Sequence, residues 1–291
     1  MNRIITKKQL SADVFEMVVE APLIAGARKA GQFLIIQIDD EWGERIPLTI
    51  ADADSERGTL TLVFQTVGAS THRLACKEPG EFVENILGPL GNPTHIEKFG
   101  TVVCVGGGIG AAPLFPIVQA MKAAGNRVLV IIGARNKELL LFEDRMRPYA
   151  DEFVVVTDDG SCGRKALVTE PLKEFCLATP KPDMSVAIGP PIMMKFCAQV
   201  TKELGVPIMV SLNTIMIDGT GMCGGCRVNV GGQTRFVCVD GPEFDGHQVD
   251  FDAMMVRMRA FKEQEDQDHR RCHLELGLEP HPVLPKPTNP G

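Results

Sequence analysis

The strongest constraint on this chain is the stretch Asp218-Gly219-Thr220-Gly221-Met222-Cys223-Gly224-Gly225-Cys226, with Cys238 following it. Three of the nine cysteines stand there; Cys76, Cys104, Cys162, Cys176, Cys197 and Cys272 are scattered singly and read as small buried or surface thiols. The spacing Cys-x4-Cys-x2-Cys…Cys is the plant-type arrangement of a [2Fe–2S] cluster, with Asp218 at the first ligand position. A loop wrapped round such a cluster turns repeatedly through positive φ and brings its amides close to sulfide, which the interleaved glycines permit. Asp218, Cys223, Cys226 and Cys238 are therefore the expected metal ligands. Zinc accepts the same donors, although its structural sites usually pair two short knuckles and only one is present. Asp-Gly is also a common turn pair, so Asp218 has a purely conformational reading too. As a ligand it is a weaker donor than thiolate and is expected to raise the cluster's potential, as histidine does in Rieske centres.

Around this segment the chain divides by pattern. Its 291 residues, 44% hydrophobic and 23% charged, leave room for two or three globular domains. Residues 1–97 hold short β-prone runs, Val14–Val19, Phe33–Ile38 and Leu60–Phe64, at intervals that suit a small barrel, with no convincing helix between them. From Thr101, apolar runs (Thr101–Val105, Val128–Ile132, Phe153–Val156, Ser185–Ile188) alternate with helical stretches (Ala112–Ala124, Leu139–Met146, Ala166–Phe175, Ile192–Leu204). That alternation predicts an α/β domain with a parallel sheet and helices on both faces. The expected division is a β-barrel over 1–97, the α/β domain over 98–208 and a small cluster domain over 209–250. Residues 251–291 are expected to form a helix and then a proline-rich tail, extended or disordered unless a partner orders it.

Gly106-Gly107-Gly108-Ile109-Gly110-Ala111-Ala112-Pro113 follows the first α/β strand and opens a helix. In that context Gly106, Gly107, Gly108, Gly110, Ala111 and Pro113 let a pyrophosphate approach the backbone and the positive helix end. A tight packing turn is the plainer alternative. Gly133 and Arg135 end the second strand, where adenosine ribose is usually read; Arg135 either meets a 2′-phosphate, which leaves NADP(H) open, or faces solvent. Asp158 and Asp159, then Gly189 and Pro190, end the next strands at the same edge, so all four loops can face one dinucleotide. Each alone is an ordinary turn.

Arg45-Ile46-Pro47-Leu48-Thr49-Ile50 by itself is a strand with an edge proline. Beside a cluster and a nicotinamide site it has a further reading. Nicotinamide carries two electrons as hydride, the cluster takes one, and a flavin is the usual converter. The order of barrel, glycine-rich sheet domain, Gly189-Pro190 loop and C-terminal cluster resembles the ferredoxin–NADP reductase superfamily over about residues 1–250. Within it the chain resembles the electron-transfer subunits of dihydroorotate dehydrogenase B. The phrase from Asn213-Thr214-Ile215-Met216-Ile217-Asp218 to Cys226 is closer still to the small subunits of NADH-dependent reduced ferredoxin:NADP oxidoreductases, in which Asp replaces the first cluster cysteine.

The resemblance implies FAD in the barrel. Arg45 would face the pyrophosphate and Thr49 the isoalloxazine edge, within the segment that includes Pro47, Leu48 and Ile50. Val67, Gly68 and Thr71 would lie near phosphate. It also implies exchange with NAD(H), one-electron transfer to a larger partner subunit carrying flavin and [4Fe–4S] centres, and ferredoxin as an indirect partner. Two departures stand out. The superfamily has Arg three residues before its Ser/Thr, and here the gap is four. Ile188 occupies the place where many reductases put Cys before Gly-Pro, which leaves hydride transfer to positioning.

A net charge of −7 argues against nucleic acid. No apolar run approaches the ~20 residues that span a bilayer, and the N-terminus lacks a signal peptide's apolar region, so a cytoplasmic location is expected. The six histidines are scattered and read as structural or exposed, and no Ser/His/Asp triad is apparent. Two rival functions stay open: the electron-transfer subunit of a dihydroorotate dehydrogenase, and a non-catalytic sensor using the cluster as a switch. Within the helical period of Asp250–Gln267, Met254, Met255, Met258, Arg257 and Phe261 form a face that either docks a partner or packs within the chain.

Overall fold

The computed structural model describes residues 1–40 and 44–277. Its N-terminal part is built from β1 (Asn2–Gln9), β2 (Val14–Glu20), β3 (Phe33–Gln37), β4 (Arg45–Asp54), β5 (Thr59–Gln65), β6 (Phe82–Val83) and β7 (Asn85–Leu90). These pair antiparallel in the order β6-β1-β2-β5-β4-β3-β7 and curl round a core that includes Ile4, Met17, Leu34, Ile36, Leu60, Leu62 and Phe64. Alternation along β3 sends Leu34 and Ile36 inward and Phe33 and Ile35 outward, into a second core. Two helices interrupt the strands, α1 (Pro22–Ala27) and α2 (Ala69–Cys76). Neither was expected from the sequence, because each is shorter than the window over which a 3.6-residue period becomes visible.

The second sheet contains β8 (Thr101–Gly107), β9 (Arg127–Ala134), β10 (Glu152–Thr157), β11 (Arg164–Lys165), β12 (Met184–Ile188) and β13 (Ile208–Ser211), all parallel, in the order β11-β10-β9-β8-β12-β13. Helices α3 (Ala111–Ala123), α4 (Glu143–Met146), α5 (Thr169–Leu177) and α6 (Pro191–Leu204) connect them. Both faces are covered, which accounts for the unbroken apolar strands. Val103, Val105 and Ala187 face one core, while Val102, Cys104 and Val186 face the other beneath α3. The expected helix over Leu139–Met146 is instead a 3₁₀ turn at Lys137–Leu139 and the short α4. Phe142, at φ 63°, breaks it and packs its ring 5.6 Å from Phe115.

After β13 the chain leaves for the cluster segment, with a hairpin of β14 (Arg227–Val230) and β15 (Gln233–Phe236) and the short α7 (Val237–Asp240). It returns as β16 (Glu243–Asp245), antiparallel to β13. The segment is thus an excursion from the sheet edge, and Met216, Cys226, Val228, Val237 and Cys238 share a core with Val103, Val105, Phe33 and Ile35. The helical pattern over Asp250–Gln267 becomes α8 (Phe251–Met258) and α9 (Lys262–Leu276), separated at Arg259–Phe261. Phe251 and Met254 are buried in that core, and Arg257 Nη2 donates to the Gly225 carbonyl at 3.0 Å, so this part of the face packs within the chain while Phe261 is exposed. The proline-rich tail lies outside the described residues. Among those described, no helix is long and apolar enough to cross a membrane.

Candidate functional site

The cluster loop turns at Gly219, Gly221 and Gly224, with φ of 73°, 86° and 68°. Asp218 points into it. Its Oδ2 accepts from the Met222 amide at 3.0 Å and the Thr220 hydroxyl at 3.1 Å, and its Oδ1 lies 3.2 Å from Cys223 Sγ. The buried sulfurs of Cys226 and Cys238 lie 3.2 Å apart. The four donors therefore form two pairs, Asp218 with Cys223 and Cys226 with Cys238, as two irons with two protein ligands each require.

The chemistry of the donors fits the same group. Burial, reinforced by the neighbouring Cys226 sulfur, pushes the Cys238 thiol up to about 12. A buried thiol that resists ionising alone is stabilised as a thiolate by a metal. For Asp218, burial acts upward, but bonds from Cys223, the Met222 amide and Thr220 outweigh it and keep the carboxyl below its usual range. A Cβ at Gly219 would meet Ile35 at 2.7 Å and Leu90 at 3.0 Å, so the loop rests on β3 and β7. Ile217, Met222 and Val239 are exposed around it, Met222 to 87%.

β3 pairs with β4 so that Ile35 stands opposite Pro47, Phe33 opposite Thr49 and Gln37 opposite Arg45. Ile46, Leu48 and Ile50 belong to the barrel core, which leaves Arg45, Pro47 and Thr49 on the outward face that also carries Ile35. The four-residue gap between Arg45 and Thr49 thus keeps both on one face, whereas Leu48 and Ile50 offer a ligand only their backbone. Continuing the Ile50–Leu62 register carries Arg45 to the level of Val67. There α2 begins at Gly68, whose Cβ position is open and whose cap has no side-chain bond from Gly68 itself. Thr71 Oγ1 accepts from the Val67 and Gly68 amides at 3.1 and 3.2 Å and so orders the turn. The Ser70 hydroxyl donates to Glu44, tying this turn to the start of β4.

The nucleotide edge lies where the strand order reverses, between β8 and β12. A Cβ at Gly107 would strike Met193 at 2.2 Å, and one at Gly110 the Ile188 carbonyl at 2.3 Å; one at Gly133 would meet Val168 at 2.3 Å. Those glycines let protein pack on protein. Gly108 differs, with φ of 55° and open space at its Cβ. Ala111 is buried at the start of α3, with Pro113 in its first turn. Arg135, Asp158, Asp159 and Pro190 are exposed along the same edge and Gly189 is half-buried. Asp159 is held below its usual range chiefly by Ser161, whose amide it caps at 2.9 Å. Three histidines, His72, His269 and His273, also come together at the α2–α9 contact. Sequence reading missed this group: the i, i+4 spacing of His269 and His273 is visible, but their meeting with His72 is not.

Residues 213–250 match the family described as the iron–sulfur cluster binding domain of dihydroorotate dehydrogenase B, and residues 104–199 match the oxidoreductase NAD-binding domain. A Thermotoga maritima protein named dihydroorotate dehydrogenase B (NAD(+)) electron transfer subunit homolog is 45% identical over 271 residues, covering 93% of this chain and 95% of its own. The electron transfer subunit of dihydroorotate dehydrogenase B from Desulforamulus reducens is 34% identical, over 85% of this chain and 96% of its own. Among solved structures, a chain of the NADH-dependent reduced ferredoxin–NADP oxidoreductase, studied for flavin-based electron bifurcation, superposes with a TM-score of 0.88 at 45% identity, over 93% of this chain and 97% of that one.

Proposed function

Given that the chain belongs to the family of dihydroorotate dehydrogenase B electron-transfer subunits and their homologues, we propose that it exchanges hydride with NAD(H) at FAD and passes single electrons through a [2Fe–2S] cluster to a larger flavin- and [4Fe–4S]-bearing partner, in the cytoplasm. The observation that carries this reading is the seating of the paired-donor loop on Ile35, one strand from the outward Arg45, Pro47 and Thr49 face. A flavin there supplies conversion between two-electron and one-electron transfer.

Each group of residues has a task in this reading. The exposed Arg45 guanidinium and the amides at the start of α2 neutralise a pyrophosphate, and Thr71 keeps that turn in shape. Thr49 offers a hydroxyl on the same face. Gly108 leaves room for the nucleotide's phosphates, while Gly107 and Gly110 hold the two strand ends together. Asp158 and Asp159 favour a free 2′-hydroxyl over a 2′-phosphate, hence NAD(H). Cys226 and Cys238 hold the buried side of the cluster, and Asp218 and Cys223 the side bordered by exposed Ile217 and Met222. That apolar rim suits a partner that receives the electron, with ferredoxin beyond it.

The test is anaerobic mixing of the intact complex with NADH. Flavin absorbance is expected to bleach first and the cluster's paramagnetic signal to appear afterwards. An unreduced flavin would leave only the sensor reading. Co-purification with a partner that oxidises dihydroorotate, in place of one carrying flavin and [4Fe–4S] centres, would move the chain to the other branch of its family.

A further inference from the structure

We propose a second metal site, independent of the redox function above, in which His72, His269 and His273 bind one divalent ion of the zinc class and clamp the C-terminal helix to the flavin-domain helix. His72 is buried on α2; His269 and His273 stand one turn apart on α9, and His273 is buried as well. His273 Nε2 lies 3.0 Å from His269 Nε2 and 3.3 Å from His72 Nε2, and the ligand atoms of all three fall within 4.8 Å of one another. Two nitrogens on one tetrahedral zinc, each at about 2.0–2.1 Å, sit roughly 3.3–3.4 Å apart. The two contacts of His273 are close to that separation.

The contacts within the trio cannot all be good hydrogen bonds. A ring nitrogen of neutral imidazole either donates one proton or accepts with one lone pair. His273 Nε2 therefore cannot make a good bond to both neighbouring nitrogens at once. A cation that takes a lone pair from each nitrogen is compatible with both of these contacts. The rings of His273 meet those of His72 and His269 edge to face, at 75° and 79°.

The need for such a clamp follows from α9 itself. Of its fifteen residues only Cys272 and His273 are buried. A polar helix without an apolar stripe has little hydrophobic burial to hold it to its neighbour. Besides the trio, its links to α2 include the Arg73–Glu275 ion pair at 2.6 Å and the Cys272 thiol donating to the Ala69 carbonyl at 3.6 Å. Exposed ion pairs contribute little. A three-histidine metal site, by contrast, fixes both helices through one centre. Because α2 also starts at Gly68, the ion would fix the helix whose first turn forms the proposed pyrophosphate cradle.

The test uses the intact protein, cluster and flavin loaded, dialysed against micromolar zinc and then against metal-free buffer. Metal analysis is expected to find one zinc per chain in addition to the cluster iron. Zinc-edge absorption spectroscopy should show nitrogen and oxygen neighbours at about 2.0–2.1 Å and no sulfur at about 2.3 Å. His269→Gln and, separately, His72→Gln should each lose the zinc while keeping iron, flavin and helical circular dichroism. Zinc removal should raise backbone hydrogen exchange across residues 262–276 at least tenfold without changing it in β8–β10. No retained zinc in the iron-replete protein, a sulfur shell around the zinc, or full zinc retention in both variants would overturn the site. His269 is half-buried, so its variant should fold; if it does not, the His72 variant and the spectrum of the wild type still decide.

Discussion

A methyl group added at Gly110 would meet the Ile188 carbonyl at 2.3 Å, whereas one added at Gly224 meets nothing nearer than the Phe236 ring at 3.7 Å. The two glycine-rich segments look alike in sequence but use glycine for different reasons. In residues 106–110 most glycines make room for neighbouring protein, and only Gly108 combines positive φ with open space. In residues 219–224 glycine supplies the left-handed turns of the loop. A nucleotide loop is stiffened by what packs behind it, and a cluster loop is shaped by its own backbone and completed by its metal.

The largest expected effect removes the cluster loop's buried donor. Cys226→Ser should lose nearly all cluster iron and the visible absorbance that goes with it, while nucleotide-domain folding persists. Iron retained at the wild-type level would break the assignment of donor pairs. Next comes the packing loop. Gly110→Ala should destabilise by about 2–4 kcal/mol, since its contact is with backbone that cannot yield. Gly108→Ala should cost only about 1–2 kcal/mol, from its left-handed φ, yet weaken NADH binding at least tenfold because its methyl would occupy the nucleotide's approach. Thermal unfolding and nucleotide titration read the two separately, and a reversal of their order would sink the distinction.

A smaller effect tests the strand that returns from the cluster loop. Burial pushes the Glu243 carboxyl up to about 7, against the Thr94 hydroxyl that donates to it at 2.5 Å. The native state then holds a proton that the unfolded chain has released. Stability from this group is full below the ordinary value of 4.5 and is lost as pH rises through about 7. Glu243→Gln should therefore flatten the decline between pH 5 and pH 8 by about 1–3 kcal/mol, measured by denaturant unfolding at each pH. An unchanged slope would contradict it. Asp218→Cys should produce the subtlest change: the iron stays and the cluster's potential falls, because thiolate stabilises the oxidised iron better than carboxylate. Redox titration giving an equal or higher potential in the variant would argue that Asp218 only shapes the turn.

Much of the fold was legible because its signals are local. β2, β3, β5, β8, β9 and β12 coincide closely with the apolar runs, and α3 and α6 with the helical stretches. The misses share a cause. Residues 139–146 have the composition of a helix, but Phe142 adopts φ 63° and buries its ring beside Phe115. α1 and α2 are too short to display a period, and Arg257 on α8 bonds within the chain, at Gly225.

By itself the sequence predicted Cys223, Cys226 and Cys238 as cluster donors, left Asp218 between ligand and turn, and predicted the order of the three regions, since a contiguous ligand loop and a strand-turn-helix motif are encoded by spacing along the chain. Only tertiary structure decided that Asp218 pairs with Cys223 and Cys226 with Cys238, and that most glycines of residues 106–110 serve packing. It also brought His72 to His273 across 201 positions of chain. Contacts of that kind depend on which faces two distant elements bury against each other, and no period within either element records it.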